Sequence, residues 1–133
     1  AEAKSREAGV LARFPLLKER RRQLAKTLSG GQRQMLAMGV ALMSAPKVLL
    51  LDEPTAGLSP KAAGELFESV ARIRDEGVAI VMVEQNALDA LAIADRGMVF
   101  VDGREAYAGT ARSLADDPDV RRLFLGARRR DAA

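Results

Sequence analysis

Three short polar clusters interrupt an otherwise apolar pattern, and their residue types suit the chemistry of anions and divalent cations. Leu28-Ser29-Gly30-Gly31-Gln32 puts a serine and two glycines where a helical pattern begins. Glycine lets backbone amides approach an anion closely, and a helix start offers unpaired N–H groups and the positive end of the dipole. The serine hydroxyl adds another donor. By itself the same string is equally an ordinary serine N-cap with a glycine turn. Farther on, Asp52-Glu53-Pro54 closes the apolar run Val48-Leu49-Leu50-Leu51. Magnesium keeps much of its water, so one carboxylate beside bound phosphates suffices to hold it. A second carboxylate, aimed away from the metal, can orient or deprotonate an attacking water. The bland alternative is a polar strand end capping the next turn, which accounts poorly for two acids after so apolar a run. Glu84-Gln85-Asn86 closes a second apolar run in the same way.

The elements that must position these clusters emerge from periodicity. Ala1 to Leu24 reads as helix with a break at Pro15, whose ring cannot continue a helix that needs its amide. After Gln32 a helical pattern runs to about Ser44. Met35, Met38 and Leu42 lie on one side with Leu36, Val40 and Met43 beside them, and so wide an arc predicts a largely buried helix that Pro46 ends. Val48 to Leu51 and Val78 to Val83 lack alternation, the pattern of strands buried on both faces of a parallel sheet. Lys61 to Glu76 is helical, with Leu66, Phe67, Val70 and Ile73 inward, Glu65, Glu68 and Arg72 outward, and Gly77 as a stop. Leu88, Leu91 and Ala92 mark another helix. Asp102-Gly103 between Met98–Val101 and Glu105–Ala108 predicts a two-residue hairpin turn. Thr110 and Asp117-Pro118 cap two closing helices, the last with Val120, Leu123 and Phe124 on its apolar face. Alternating strands and helices make an α/β domain. In such sheets ligands collect at the carboxyl ends of the strands, where Asp52-Glu53 and Glu84-Gln85 stand.

Composition narrows the function. The 133 residues suit one domain, and 48% hydrophobic with 29% charged residues excludes a disordered or fibrous chain. Neither cysteine nor histidine occurs, which removes disulfides, thiolate metal sites and the commonest general base. The longest apolar run is far too short to span a bilayer, and no charged-then-apolar leader opens the sequence, so a cytosolic setting is the expectation. Net charge is +3, with arginine runs at Arg20–Arg22 and Arg128–Arg130. These read as a solvated helix face and a frayed tail. Aromatics are 4%, too few for base stacking, so no nucleic-acid partner is expected.

The order Leu-Ser-Gly-Gly-Gln, helix, Leu-Leu-Leu-Asp-Glu-Pro resembles the ATP-binding-cassette (ABC) ATPases over almost the whole chain. The resemblance implies a partial P-loop NTPase fold: a parallel sheet flanked by helices, with a C-terminal β-hairpin and short helices. Residues 1–45 would be the end of the helical subdomain with its signature helix, and residues 46–133 the C-terminal part of the catalytic core. Ser29, Gly30, Gly31 and Gln32 would be the signature motif that grips the γ-phosphate of ATP bound to the opposite subunit. Asp52 would hold Mg2+ through water and Glu53 would act on the hydrolytic water. Ala56-Gly57-Leu58-Ser59 aligns with the segment that crosses the dimer interface, although the family usually has aspartate where Ser59 stands. Gln85 occupies the switch position where a histidine normally touches the γ-phosphate; its amide can donate but cannot titrate. Val40 stands where many relatives have arginine.

Val83-Glu84-Gln85-Asn86-Ala87, Gly57-Leu58-Ser59-Pro60 and the ending Ala94-Asp95-Arg96-Gly97 through Phe124-Leu125-Gly126 resemble the branched-chain amino acid uptake branch, its shorter ATPase subunit in particular. The partners so implied are a second ATPase subunit, transmembrane permease subunits and, indirectly, a solute-binding protein, at the cytoplasmic face of the membrane. Urea and short-chain amide importers are similar. No Gly-x-x-x-x-Gly-Lys-Ser/Thr phosphate loop occurs in the sequence, so the chain alone is expected to be inactive. The alternatives are an ABC ATPase outside transport, argued against by the absence of sustained heptads, and a non-catalytic module that lends its signature motif to an intact partner.

Overall fold

Pro15 divides the first helical stretch into α1 (Glu2–Arg13) and α2 (Pro15–Glu19). Phe14 between them leaves the helical region at φ −121°, ψ 80°, as a residue before proline does, and Pro15 takes the first helical position where its missing amide costs nothing. The structure, a computed structural model, describes residues 2–127, so the run Arg128–Arg130 lies outside the described residues. The expected continuation of helix to Leu24 does not occur. Arg20–Arg22 form a turn and not a helix face, closed by Gln23 N–H donating to the Arg20 carbonyl (2.8 Å) and by the Arg20 guanidinium on the Gln23 side chain (2.8 Å). The described residues fall into two compact units that divide between Val83 and Glu84.

In the first unit a single 3₁₀ turn (Ala25–Thr27) leads into α3 (Gly30–Leu42). Its Gly39 faces Val10 and Leu17 so closely that a Cβ would stand 3.0 and 3.2 Å from their methyl groups. Met38 and Leu42 are buried, but Val40 is 64% exposed and Met35 and Leu36 are half-buried. The helix is therefore covered on one side only, by α1, α2 and α4, and not largely buried as its apolar arc suggested.

The strand β1 (Val48–Asp52) pairs in parallel with β2 (Ala79–Val83), in register from Val48↔Ala79 to Asp52↔Val83. Between them runs α4 (Pro60–Asp75), with Leu66, Phe67, Val70 and Ile73 buried and Glu65, Glu68 and Arg72 exposed as their spacing predicts. Gly77, at φ 96°, ends that helix in a conformation glycine adopts freely. Burial of the sheet is one-sided. Leu49 is in the core, whereas Leu50 is 74% exposed and Val48, Val81 and Val83 share its open face. An unalternating run records that both faces are apolar; it does not supply the second cover.

The second unit holds α5 (Ala87–Ile93), the antiparallel strands β3 (Arg96–Val101) and β4 (Arg104–Thr110), α6 (Ala111–Asp116) and α7 (Pro118–Ala127). Asp102 (φ 49°) and Gly103 (φ 74°) make the two-residue turn in the left-handed geometry that tight hairpins need. A register shift between Val99 and Phe100 bends the ladder. Val99, Leu114 and Val120 form the core, with Leu91, Tyr107 and Phe124 packed against it. Leu123 is 40% exposed and stays outside that core. Thr110 caps α6 by accepting from Ser113 N–H (3.2 Å), and the Asp117 carboxylate accepts from Asp119 and Val120 (2.8 and 3.2 Å) at the head of α7.

Candidate functional site

Ser29 stands at the N-cap of α3 in extended backbone (φ −65°, ψ 167°). Its hydroxyl oxygen accepts from Gln32 N–H (3.3 Å) while its own N–H donates to Gln32 Oε1 (3.0 Å), a reciprocal capping box. The box turns two acceptor oxygens toward the backbone. Donors are left for a ligand: the serine hydroxyl hydrogen, the Gln32 side-chain NH₂ and the first helical amides. Arg33 fixes the approach, its guanidinium donating to the Leu28 carbonyl at 2.7 Å. An end built this way, with the positive end of the dipole and several donors, favours anions.

Asp52 ends β1, exposed, and the half-buried Glu53 comes next with φ 43°. Glu53 N–H donates to the Val83 carbonyl (2.8 Å), tying it to the carboxyl end of β2. From Glu53 the chain folds back through Ala56 N–H to the Glu53 carbonyl (3.0 Å) and Leu58 N–H to the Thr55 carbonyl (3.1 Å), with Gly57 at φ 71°. Among the described residues no group of three or more His, Cys, Asp or Glu side chains is arranged to hold a metal. A magnesium ion at Asp52 would then be held by a single carboxylate, with water and a ligand's phosphate oxygens supplying the rest of its shell.

The structure joins the first two clusters within one unit. A Cβ built on Gly30 would stand 3.3 Å from Leu58, and one on Gly31 would stand 3.1 Å from the Ala62 methyl, so the head of α3 rests on the loop after Glu53 and on the head of α4. The packing of Leu58 and Ala62 under the two glycines is not foreseen from the sequence, since nothing in an apolar or small residue announces which glycine it abuts, and neither is the bond from Arg33 to Leu28. Ser59 proves to be the N-cap of α4, accepting from Ala62 N–H at 3.3 Å, with Pro60 at the first helical position. The Ser-Pro pair carried that signal. Gln85 belongs to the second unit, exposed, and its carbonyl accepts from Ala87 N–H (2.8 Å). The N-cap of α5 is Asn86, whose N–H donates to the Glu84 carboxylate (3.2 Å).

Comparison with known proteins converges with this geometry. Residues 2–56 match the family model described as ABC transporter. Over 117 residues the chain is 51% identical to the high-affinity branched-chain amino acid transport ATP-binding protein BraG of Pseudomonas aeruginosa, covering 88% of this chain and 50% of that protein. The chain belongs to the ABC transporter ATP-binding family. A probable branched-chain amino acid transport ATP-binding protein, LivF of Archaeoglobus fulgidus, is 44% identical over 94% of this chain and 53% of its own length. Among solved structures, MJ1267, an ATP-binding cassette of an ABC transporter, superposes with a TM-score of 0.79 at 27% identity, covering 90% of this chain and 49% of that one. The structure of cbiO1 from Clostridium perfringens, part of the ABC transporter complex cbiONQ, gives 0.78 at 27% identity over 92% and 49%. The fold is accordingly that of an ABC cassette, and the chain spans about half the length of the relatives it matches. Among the described residues no helix is long and apolar enough to cross a membrane.

Proposed function

We propose that these residues are the C-terminal half of the ATP-hydrolysing subunit of an ABC importer for branched-chain amino acids. The observation that carries this is one arrangement: a donor-rich helix head at Ser29–Gln32 seated beside the loop after Asp52-Glu53. The 51% identity to BraG supports the transported class. In this reading Ser29, Gly30, Gly31 and Gln32 bind the γ-phosphate of ATP held by a second cassette. Asp52 holds Mg2+, which when bound neutralises charge on the phosphates. Glu53 takes the proton of the attacking water, Gln85 donates to the γ-phosphate, and Ser59 lies at the subunit boundary. The subunit works in pairs beneath transmembrane permease subunits, peripheral to the cytoplasmic face of the membrane, and is served by a solute-binding protein.

Glu53→Gln in the complete cassette tests this. Glutamine keeps the shape and hydrogen bonding of the side chain but accepts no proton. ATP binding is expected to persist while turnover falls by about 10²–10⁴, leaving a nucleotide-bound dimer on size exclusion; turnover within about threefold of wild type would remove Glu53 as the base. The 133-residue chain by itself, without a phosphate-cradling loop, is expected to show no magnesium-dependent ATP turnover in the same assay.

A further inference from the structure

Gly30 and Gly31 head the same helix turn, yet Gly30 is exposed and Gly31 is buried. A glycine kept only so that an anion can come close belongs on the exposed side. Gly31 instead meets Ala62, the residue whose amide closes the Ser59 cap of α4, and its missing Cβ would lie 3.1 Å from the alanine methyl. On the other side Leu58 lies where a Cβ on Gly30 would be at 3.3 Å. Two overlapping turns, Ala56 N–H on the Glu53 carbonyl and Leu58 N–H on the Thr55 carbonyl, fold the segment from Glu53 to Leu58, so the support of the α3 head and the acid-bearing loop are one continuous piece of chain.

We propose that Ala62 and Leu58 are positioning residues that set the height of the Ser29–Gln32 turn relative to Glu53. The inference rests on the function proposed above and adds to it two residues that place the turn. The turn that a subunit offers to its partner's nucleotide is keyed to the loop with which the same subunit acts on its own. Leu58 closes one side of the turn at Gly30, and the Ala62 methyl leaves no room for a Cβ at Gly31, so the two side chains fix how closely the turn settles on the loop and on α4.

The test is a cycle in the complete cassette: Gly31→Ala, Ala62→Gly and the double variant, each carried through thermal unfolding, ATP-driven dimerisation, KM and kcat. Gly31→Ala is expected to leave KM within about twofold but to lower kcat about tenfold or more, since small misplacements of binding groups are costly in rate. Ala62→Gly removes the opposing methyl, so the double variant should recover most of the lost kcat and dimerisation. A double variant as slow as Gly31→Ala, with both folded, overturns the proposal and assigns Gly31 to the ligand alone. Should Gly31→Ala fail to fold, Ala62→Val adds bulk from the other side with both glycines intact. The same kcat loss is expected, and wild-type kcat in that variant overturns the proposal equally. A wild-type cassette without ATP turnover removes the proposed function and this role with it, and is told apart because no variant enters that measurement.

Discussion

Two helices of the first unit begin almost identically. Ser29 caps α3 at φ −65°, ψ 167°, and Ser59 caps α4 at φ −63°, ψ 156°; each hydroxyl accepts at 3.3 Å from a backbone amide of its own first turn. The residues after the serine differ. In α3 come Gly30, Gly31 and Gln32, which keep every amide and add a side-chain NH₂. In α4 come Pro60 and Lys61, and the proline deletes a donor where α3 presents one. A serine cap is therefore no evidence of a ligand. The discriminating feature is how many donors the first turn leaves uncommitted: in α3 the Gly30 and Gly31 amides and the Gln32 side-chain NH₂ remain beside the capping box, whereas Pro60 removes one amide from α4.

The contrast is broken most sharply by making α3 resemble α4. Gly30→Pro puts proline at a first helical position, where it is welcome, and Ser29 already has the extended backbone that precedes proline. In the complete cassette, ATP turnover should fall by roughly 10²–10³, the usual cost of a lost donor to developing charge, while the fold persists with Leu58 shifting to admit a Cβ that would otherwise stand 3.3 Å away. Unchanged turnover would make the two helix heads functionally equivalent.

A smaller effect separates cap from ligand. Ser29→Ala and Ser59→Ala should each lower unfolding stability by about 1 kcal/mol in denaturant titrations, because each removes one N-cap. Their ATPase rates should diverge, with Ser29→Ala falling far more than Ser59→Ala. Equal rates would return Ser29 to a capping role. The smallest shift is expected from Gln32→Glu, which retains the box acceptor and adds a charge favourable to a helix start. Stability should rise by about 0.3–1 kcal/mol even as ATP-driven dimerisation weakens, since the side-chain donors are gone.

Much of this was legible in the sequence. Unalternating runs marked β1 and β2, Asp102-Gly103 marked its turn, and Thr110 and Asp117 acted as the caps their types predict. Context was the part that escaped. Arg20–Arg22 have good helix propensity, but the backbone turns there, and Arg21 pairs with Glu7 (2.6 Å). Val40 and Leu50 read as buried because periodicity reports which side chains are apolar, not what lies against them. For the site, the polar residues of the α3 head and the acids were recognisable from type and spacing. The apolar seat beneath them, Leu58 and Ala62, was not, because close packing is a property of pairs distant in sequence.

The backbone at Glu53 has a consequence for how this fold balances durability against work. At φ 43° it occupies left-handed space that costs an ordinary side chain energy and costs glycine almost nothing. The position that the fold alone would fill with glycine carries a carboxylate instead. Under the function proposed above, selection for stability and selection for turnover pull in opposite directions at Glu53, and a screen for tougher variants that ignored activity would favour glycine there.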